Sequence, residues 1–539
     1  MSQRQIKVTF QPQGRVVYVL SGTKIIEAAA LAGIVINTPC GGTGTCGKCR
    51  IKIKSPICKP AEADKKIFNA DELMENFRLA CQYAVFEDTV VEVPKESLLS
   101  GIEKIVIESD VLRTIVPDER PRVSGKCFGV AVDIGTTTLA ASLVNLAAAA
   151  EIAVTGSINP QISFGDDVIS RIKHAASAQN GLAELQKAVV GQINAMIDNI
   201  CEQGGVDRED IYEITIAGNT TMEHLVCGIN PAELGQLPFE PVYRGANTVN
   251  ASELEIEINP KGTVYIFPIV GGFIGGDISA GMLAMDILNQ PQPSLLIDIG
   301  TNGEIVLVKD NKITAASTAA GPAFEGARIS CGMRAAAGAI EKVEFDEDCI
   351  YSVLGNTKPA GICGSGLIDI TAELLNAGII DSTGKINLSA KVPPKIAQRL
   401  VIDADGQPGF NVAKAVKITQ KDIRQIQLAV GAIRAGINII LKNAALNANE
   451  LKKVFVAGGF GSFIRRKNAQ RIGLLPPQIS HEKISFVGNT SLAGAKLALL
   501  SIKAREKAQE LAKQARHIEL SAQSDFQNEF ASAMIFPTG

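Results

Sequence analysis

Residues 129–144 read GVAVDIGTTTLAASLV, and residues 295–308 read LLIDIGTNGEIVLV. Each stretch consists of an apolar run, the tetrapeptide Asp-Ile-Gly-Thr and a second apolar run, which predicts two strands joined by a tight turn. Such a turn directs backbone N–H groups and hydroxyls toward one point, which suits phosphate oxygens. An aspartate at the end of each first strand can hold hydrated magnesium or orient an attacking water. The repeat predicts two related subdomains that face each other.

A third segment, residues 453–461, reads KVFVAGGFG and predicts a strand that ends in a Gly-Gly turn, where a flat adenine or ribose can approach the backbone. In this order the three segments resemble the phosphate-one, phosphate-two and adenosine motifs of the acetate and sugar kinase, heat-shock chaperone and actin superfamily. Residues 271–284 and 488–498 fall where that superfamily has its connecting helices. Their small residues would let two helices cross closely.

This resemblance implies roles for individual residues. Asp133 and Asp298 are implied to be the catalytic residues that position magnesium and the attacking water. The implied nucleotide-binding residues are Gly135, Thr136, Thr137 and Thr138 in the first turn, Gly300, Thr301, Asn302 and Gly303 in the second, and Gly458 and Gly459 beside the adenosine. The alternative interpretation is that the glycines only shape the ends of strands.

Three cysteines near the N-terminus form the pattern Cys40-x5-Cys46-x2-Cys49, and Cys81 follows later. Plant-type 2Fe–2S ferredoxins use Cys-x4-Cys-x2-Cys with a distant fourth cysteine, so the first gap is one residue longer here. Glycines between the cysteines let backbone N–H groups approach the cluster. A zinc site is the alternative, but zinc ribbons usually carry two close Cys-x2-Cys pairs. The pattern predicts a 2Fe–2S cluster held by these four cysteines, with Cys58 outside the ligand set.

The sequence around this loop predicts a small separate unit. Residues 5–10 and 15–20 are β-prone runs on either side of Gln-Pro-Gln-Gly, which indicates a hairpin. A short helix is predicted over residues 23–33 and a closing strand over residues 89–93. The segment Gly42-x4-Gly47-Lys48 resembles the start of a P-loop, but Cys49 stands where Ser or Thr should bind magnesium. We therefore assign no nucleotide to this loop.

Length, charge and cysteine content narrow the class of protein. A chain of 539 residues is too long for one ordinary core, and its net charge of −3 gives no general reason to expect nucleic acid as a partner. No apolar run reaches the roughly 18 residues of a membrane span, and the N-terminus lacks a signal peptide. Eleven cysteines in such a chain indicate metal ligands rather than a disulfide framework. We expect a cytoplasmic protein with no nucleic acid and no membrane partner.

The two modules together resemble the reductive activators of corrinoid proteins, over nearly the whole chain. The matching segments are residues 159–172, residues 217–222 and the tail at residues 530–537. The resemblance implies a multidomain α+β and α/β fold, with a β-grasp ferredoxin-like N-terminal domain, a linker and a duplicated actin-like ATPase fold. The expected divisions are a ferredoxin-like domain at 1–94, a linker at 95–125, a middle domain at 126–210 and an ATPase domain at 211–539. A long helix over residues 419–446 is predicted to begin with the capping box Thr419-x-x-Asp422.

The resemblance also implies a reaction, with a 2Fe–2S cluster, ATP and Mg²⁺ as cofactors. The reaction is ATP-dependent one-electron reduction of a corrinoid protein from cobalt(II) to cobalt(I). The implied partners are a corrinoid protein of a methyltransferase system and a donor such as ferredoxin or flavodoxin, with the chain as a homodimer. Alternatives are an activator of radical dehydratases, a small-molecule kinase with a regulatory cluster, and a non-catalytic redox sensor. Ser365, in a Gly-rich loop, either contacts the corrinoid or serves in a turn or helix cap.

Overall fold

The computed structural model describes residues 5–12, 14–32, 34, 36, 44, 47–56, 59–94, 97, 118, 126–403, 406–458 and 464–538. The predicted linker at 95–125 lies outside the described residues apart from Ser97 and Asp118. In these ranges the secondary structure forms an N-terminal sheet unit followed by two larger sheets with helices. No helix of the described residues is both long enough and apolar enough to cross a membrane.

The N-terminal unit is a mixed sheet with one helix and two short helical segments. Its strands are β1 (Gln5–Gln11), β2 (Arg15–Leu20), β3 (Arg50–Ser55), β4 (Phe77–Leu79) and β5 (Thr89–Glu92), and its helices are α1 (Ile25–Leu31), α2 (Glu62–Ile67) and α3 (Ala70–Met74). The strand order is β2-β1-β5-β3-β4. The predicted hairpin is confirmed, since Gln5 pairs with Leu20 and Phe10 with Arg15. Alternate residues of β1, namely Ile6, Val8 and Phe10, are buried because successive side chains of a strand point to opposite faces.

The second unit contains the first Asp-Ile-Gly-Thr hairpin. Its strands are β6 (Phe128–Ile134), β7 (Thr138–Asn145), β8 (Ala150–Ile158), β9 (Ile211–Gly218), β10 (Asn247–Asn250) and β11 (Thr263–Ile266), and its helices are α4 (Val168–Ser177), α5 (Gly181–Gly204), α6 (Thr220–Val226) and α7 (Gly276–Ala284). The strand order is β10-β11-β9-β6-β7-β8, with β6 parallel to β9 and antiparallel to β7. The expected division at residue 210 therefore falls between elements that share this sheet.

The third unit contains the second hairpin. Its strands are β12 (Ser294–Ile299), β13 (Gly303–Lys309), β14 (Lys312–Thr318), β15 (Ala339–Phe345), β16 (Cys349–Val353), β17 (Gly361–Ile362), β18 (Leu400–Ile402), β19 (Pro408–Ala413), β20 (Val416–Thr419), β21 (Lys453–Ala457), β22 (Ile484–Gly488) and β23 (Arg516–His517). Its helices are α8 (Gly364–Asn376), α9 (Pro394–Ala397), α10 (Gln420–Asn443), α11 (Arg466–Arg471), α12 (Thr490–Leu500), α13 (Ile502–Gln514) and α14 (Phe526–Ala533). The main sheet has the order β22-β21-β12-β13-β14-β23.

The two large sheets repeat one arrangement of strands. The order β8-β7-β6-β9-β11 in the first corresponds to β14-β13-β12-β21-β22 in the second. In both, the hairpin strands are antiparallel and the next neighbours of the first hairpin strand are parallel to it. The predicted fold class, including the duplicated actin-like fold, is confirmed. Equivalent hairpins therefore occupy equivalent places in the two sheets.

Helices α7 and α12 cross closely between the sheets. A Cβ atom added to Gly494 of α12 would lie 2.0 Å from the carbonyl oxygen of Ala280 in α7. One added to Gly281 would lie 2.9 Å from Oγ1 of Thr490. The prediction that small residues in these segments allow a close helix crossing is confirmed.

The predicted long helix is α10. Its capping box is present, because Thr419 Oγ1 accepts a hydrogen bond from the backbone N–H of Asp422, and Asp422 Oδ2 accepts from the backbone N–H of Thr419 at 2.8 Å. The helix ends before residue 446, because Ala445 has a φ of 49°, outside the helical region. Asp422 also accepts from the backbone N–H of Ser330 at 2.7 Å, which fixes the loop before β15 to the start of α10.

Candidate functional site

The two Asp-Ile-Gly-Thr turns open into one cavity of about 190 Å³. Each turn is closed by a backbone hydrogen bond of 2.9 Å, from Gly135 N–H to Thr138 O and from Gly300 N–H to Asn302 O. The lining residues that the sequence also singled out are Asp133, Gly135, Thr136, Thr137, Thr138, Asp298, Gly300, Thr301, Asn302, Ser365 and Gly458. Gly303 is not among them, since it packs against Ile433 instead. Gly459 lies outside the described residues.

Gly458 brings the end of β21 against the second aspartate. Its φ is 104°, a conformation that residues with a Cβ rarely adopt. A Cβ atom at this position would lie 2.4 Å from the carbonyl oxygen of Ile299 and 3.2 Å from Oδ1 of Asp298. Only glycine fits here, and its backbone borders the cavity where the sequence predicts an adenosine.

The first turn is supported from beneath by buried polar side chains. Asn159 Nδ2 donates to the carbonyl oxygen of Gly135 at 2.9 Å, and Asn219 Nδ2 donates to Thr136 Oγ1 at 2.9 Å. The fully buried Arg171 donates to the carbonyl oxygens of Thr136 and Gly165. Burial lowers the pKa of Arg171 to about 9, which still leaves it charged at neutral pH. These supports come from the segments at 159–172 and 217–222 that carried the resemblance.

Asp133 faces uncharged donors at the beginning of α12. It accepts from Asn489 Nδ2 at 2.8 Å and from Ser491 Oγ at 2.7 Å. Burial raises the pKa of Asp133, and these two hydrogen bonds oppose the shift. The same Asn489 accepts from the N–H of Leu492, so it caps α12 while it holds the aspartate.

Asp298 lies in a different environment, among other carboxyl groups. Asp277 is in the first turn of α7, the counterpart of α12. Burial, followed by the charges of Asp298 and Asp133, raises the pKa of Asp277 to about 8. Burial and Asp133 raise the pKa of Asp298 to about 7. Burial and the charges of Asp277 and Asp298 also raise the pKa of Glu304 well above its usual range.

This cluster of carboxyl groups fits a divalent cation. A cation between Asp277 and Asp298 would favour their charged forms and reverse the pKa shifts. Within the described residues, no three His, Cys, Asp or Glu side chains form a complete metal site. Mg²⁺ usually keeps several waters and takes one or two protein carboxylates together with substrate phosphates.

The tips of the two turns contact each other and a third carboxylate. Thr137 Oγ1 lies 3.2 Å from Thr301 Oγ1. Thr301 Oγ1 donates to Glu325 Oε1 at 2.8 Å, and Thr137 Oγ1 donates to the other oxygen of Glu325. The hydroxyl donors of both turns thus converge on one anionic group.

Several further residues line the cavity without a local sequence pattern that predicts them, namely Asn219, Asp277, Glu304, Glu325, Arg334, Asn489 and Ser491. A second echo could have revealed the asparagines, because Gly-Asn-Thr occurs at residues 218–220 and again at 488–490, each time after a strand. Ser365 lies in the first turn of α8, where it is buried and donates to the carbonyl oxygen of Glu341 at 2.9 Å. Its contact with a corrinoid stays a prediction.

Two of the four predicted cluster ligands are described, and they lie together. Cys49 and Cys81 are buried, with their Sγ atoms 3.3 Å apart. Two thiolates that each lie about 2.3 Å from one tetrahedral metal atom are separated by about 4 Å. The Sγ atoms of Cys49 and Cys81 are close enough to this separation to share a metal atom. Gly44 and Gly47 have φ values of 78° and 68°, which a loop that wraps a cluster requires of glycine. Cys40, Cys46 and Cys58 lie outside the described residues.

Comparison with known proteins identifies similar sequences along the chain. Family models match residues 8–85 as a 2Fe-2S iron-sulfur cluster binding domain, residues 128–290 as the RACo middle region and residues 292–539 as the C-terminal ASKHA domain of RACo. The corrinoid activation enzyme RamQ of Eubacterium limosum is 32% identical, over 95% of this chain and 96% of that protein.

One further protein and one solved structure are also similar to this chain over most of its length. The [Co(II) methylated amine-specific corrinoid protein] reductase of Methanosarcina barkeri is 27% identical, over 76% of this chain and 77% of its own length. A solved structure of a reductive activator for corrinoid, iron-sulfur protein is 35% identical and superposes with a TM-score of 0.71, covering 99% of this chain and 98% of the other.

Proposed function

Because the chain belongs to the family of reductive activators of corrinoid proteins, we propose that it uses Mg–ATP to drive the one-electron reduction of a protein-bound corrinoid from cobalt(II) to cobalt(I). The observation that carries this proposal is the presence of two sites in one chain. One is a pair of buried thiols 3.3 Å apart in a ferredoxin-like sheet, and the other is a cavity with two phosphate turns and a cluster of carboxyl groups. An electron carrier and an ATPase are the two parts that such a reaction needs.

The described residues support separate roles in the ATPase site. The N–H groups and hydroxyls of the two turns hold the phosphates, and Gly458 borders the adenosine. Asp298, together with Asp277, holds the hydrated cation, and Asp133 or Asp298 orients the attacking water. Asn489 and Ser491 fix Asp133 in position through its two carboxylate oxygens.

In the cluster site, two pairs of cysteines are proposed to bind the iron atoms. Cys49 and Cys81 provide one pair of thiolates, and Cys40 and Cys46 are proposed to provide the other. When bound, the 2Fe–2S cluster supplies a one-electron carrier, and Mg–ATP supplies free energy. The sheet register around Cys49 and Cys81 sets the separation of their thiolates and excludes water from both, since neither side chain is exposed.

ATP is needed because the electron transfer is uphill. Plant-type clusters have potentials near about −400 mV. Each ~59 mV by which the cobalt couple lies lower costs a factor of ten, or about 1.4 kcal/mol. A nucleotide-dependent state of the protein offsets this cost if it binds the cobalt(I) partner more tightly than the cobalt(II) partner.

We also propose the partners of the chain, its location and its oligomeric state. The partner is a corrinoid protein of a methyltransferase system, and the electrons come from a low-potential donor such as ferredoxin or flavodoxin. The chain acts in the cytoplasm as a homodimer, and neither nucleic acid nor a membrane takes part. The family membership supports the corrinoid partner, and the net charge of −3 gives no reason to expect nucleic acid.

The test is anaerobic and spectroscopic. The reconstituted and reduced protein is mixed with a cobalt(II) corrinoid protein, and visible spectra are recorded with and without Mg–ATP. We expect a cobalt(I) band that appears only with ATP and is lost in Cys81→Ala and in Asp298→Ala. No cobalt(I) with any of several corrinoid proteins, despite a reduced cluster and active ATP hydrolysis, would refute the proposal and favour another low-potential acceptor.

A further inference from the structure

Glu325 occupies a position suited to an anion between the two phosphate turns. Its two carboxylate oxygens accept from Thr137 of the first turn and Thr301 of the second. A hydroxyl has one proton to donate, so neither threonine can donate to a phosphate oxygen while it donates to Glu325. A nucleotide phosphate that accepts from both hydroxyls must therefore replace this carboxylate.

The chain returns to the same cavity a few residues later, at Arg334. The turn Pro322–Glu325 ends at Gly326, whose φ of 81° reverses the direction of the backbone. The loop is so tight that a Cβ atom on Gly332 would lie 2.1 Å from the carbonyl oxygen of Gly326. Glu325 and Arg334 consequently line one cavity from the two ends of a fixed loop.

Arg334 has donor capacity that the described residues do not use. Its Nε atom is buried and has no hydrogen-bond partner among them. Burial lowers the pKa of Arg334, and the negative charge of Glu325 opposes that shift. Buried donors are nearly always paired, and an unpaired one is costly. A guanidinium that lines a cavity for phosphates, with an unpaired N–H, fits a phosphate ligand, because its planar fork matches phosphate oxygens.

We propose that Arg334 binds the terminal phosphate of ATP, and that Glu325 competes with this phosphate for the hydroxyls of Thr137 and Thr301. The γ-phosphate of ATP has three non-bridging oxygens and can accept from both hydroxyls and from a guanidinium at once. The terminal phosphate of ADP also has three, but it is the β-phosphate and ends one phosphate short of the place between the two hydroxyls and Arg334, so Glu325 keeps both hydroxyls when ADP is bound. The pair therefore discriminates ATP from ADP. This inference rests on the proposed ATP-dependent function.

The test measures nucleotide affinity with the full-length protein and needs no corrinoid protein. Fluorescently labelled ADP and a labelled, non-hydrolysable ATP analogue are titrated in Mg²⁺ against the wild type and against Arg334→Gln and Glu325→Gln. Loss of a charge-assisted hydrogen bond predicts that Arg334→Gln weakens the ATP analogue by about 10-fold or more and changes ADP by less than about 3-fold. Removal of the competing anion predicts that Glu325→Gln tightens the ATP analogue by about 3-fold to 10-fold.

Matched controls remove the same charges elsewhere. Arg424→Gln on α10 and Glu347→Gln alter exposed side chains outside the cavity and are expected to leave both affinities unchanged. Equal weakening of ATP and ADP by Arg334→Gln would overturn the inference, as would weaker ATP binding in Glu325→Gln. If Arg334→Gln shows no cooperative melting, Arg334→Lys replaces it and must also weaken ATP selectively. A wild type that binds neither nucleotide would refute the ATP-dependent function itself.

Discussion

The Sγ atoms of Cys49 and Cys81 lie 3.3 Å apart, although 32 residues separate them along the chain. The sheet produces this proximity, because Arg50 pairs with Leu79 at the edge of the sheet and Ala80 N–H donates to the carbonyl oxygen of Cys49 at 2.9 Å. Half of the expected ligand set is thus positioned by strand register.

The first prediction concerns that pair of thiols. On the proposed ligand assignment Cys81→Ala would leave one metal atom with a single thiolate from Cys49 and Cys81, so we expect loss of the 2Fe–2S absorbance and of the EPR signal of the reduced cluster. Iron and sulfide content should fall with them. Cys331→Ala is the control, since Cys331 lies in the third unit and its sulfur accepts from the N–H of Lys417. Equal iron and sulfide content in the two variants would contradict the ligand assignment.

The second prediction separates binding from hydrolysis. Asp298→Asn removes the charge that we propose holds the cation and orients water, and we expect the rate of ATP hydrolysis to fall by about 10²–10⁴-fold. ADP should still bind, because the turns remain intact. Asp346→Asn changes an exposed aspartate and should hydrolyse ATP like the wild type. The assignment fails if Asp298→Asn retains wild-type hydrolysis, as measured by phosphate release.

The third prediction concerns pH. In the metal-free protein the raised pKa values, about 7 for Asp298 and about 8 for Asp277, keep these carboxyls partly protonated near neutrality. Mg²⁺ must displace those protons, so the affinity for Mg–ATP should rise from about pH 6 to pH 8 with release of protons. Calorimetry in buffers of different ionisation enthalpy measures this release. Asp277→Asn should flatten the dependence, and an affinity that falls with pH would exclude this role.

The fourth prediction concerns stability without metal. Because the pKa values of Asp277 and Asp298 are raised, the folded protein binds more protons than the unfolded chain. Its free energy of unfolding therefore falls as pH rises through the interval between about 4 and 8. Asp277→Asn removes one of these buried charges. We expect it to raise the melting temperature of the metal-free protein at pH 8 and to have little effect at pH 5. A lower melting temperature at pH 8 would show that the carboxylate stabilises the fold there.

The fifth prediction tests the close helix crossing. Gly494→Ala places a Cβ atom 2.0 Å from the carbonyl oxygen of Ala280, and we expect overpacking to cost about 1–3 kcal/mol. Gly191 on α5 is exposed and a Cβ atom there meets nothing within 4 Å. Gly191→Ala should therefore stabilise the protein by about 0.4–1 kcal/mol. Urea unfolding compares the two, and effects of the same sign would contradict the packing argument.

Much of the fold could be predicted from sequence because its signals are local. Asp-Ile-Gly-Thr between apolar runs specifies a hairpin, and two copies indicate duplication. The pairing of residues 5–20 and the capping box at Thr419 are also encoded within a few residues. The domain divisions and the roles of the site residues stay predictions. Most of the residues that the sequence predicts for the nucleotide site line one cavity.

The rest of the site depends on contacts between distant segments. Asp277 lies in a stretch that the sequence marks only as a helix of small residues, and its partners come from β6 and β12. Nothing near Glu325 or Arg334 in sequence indicates a phosphate turn, and the loop that contains them folds tightly around Gly326 and Gly332. Such residues can be assigned to the site only from the tertiary structure.

The difference between the two aspartates has a consequence for stoichiometry. Two equivalent hairpins could suggest two nucleotides, yet Asp133 accepts from an amide and a hydroxyl, whereas burial and the charge of Asp133 raise the pKa of Asp298 to about 7. We propose a cation beside Asp298 and Asp277, and both hairpins open into the same cavity. The duplication therefore yields a single site with unequal halves, and each chain should bind one nucleotide.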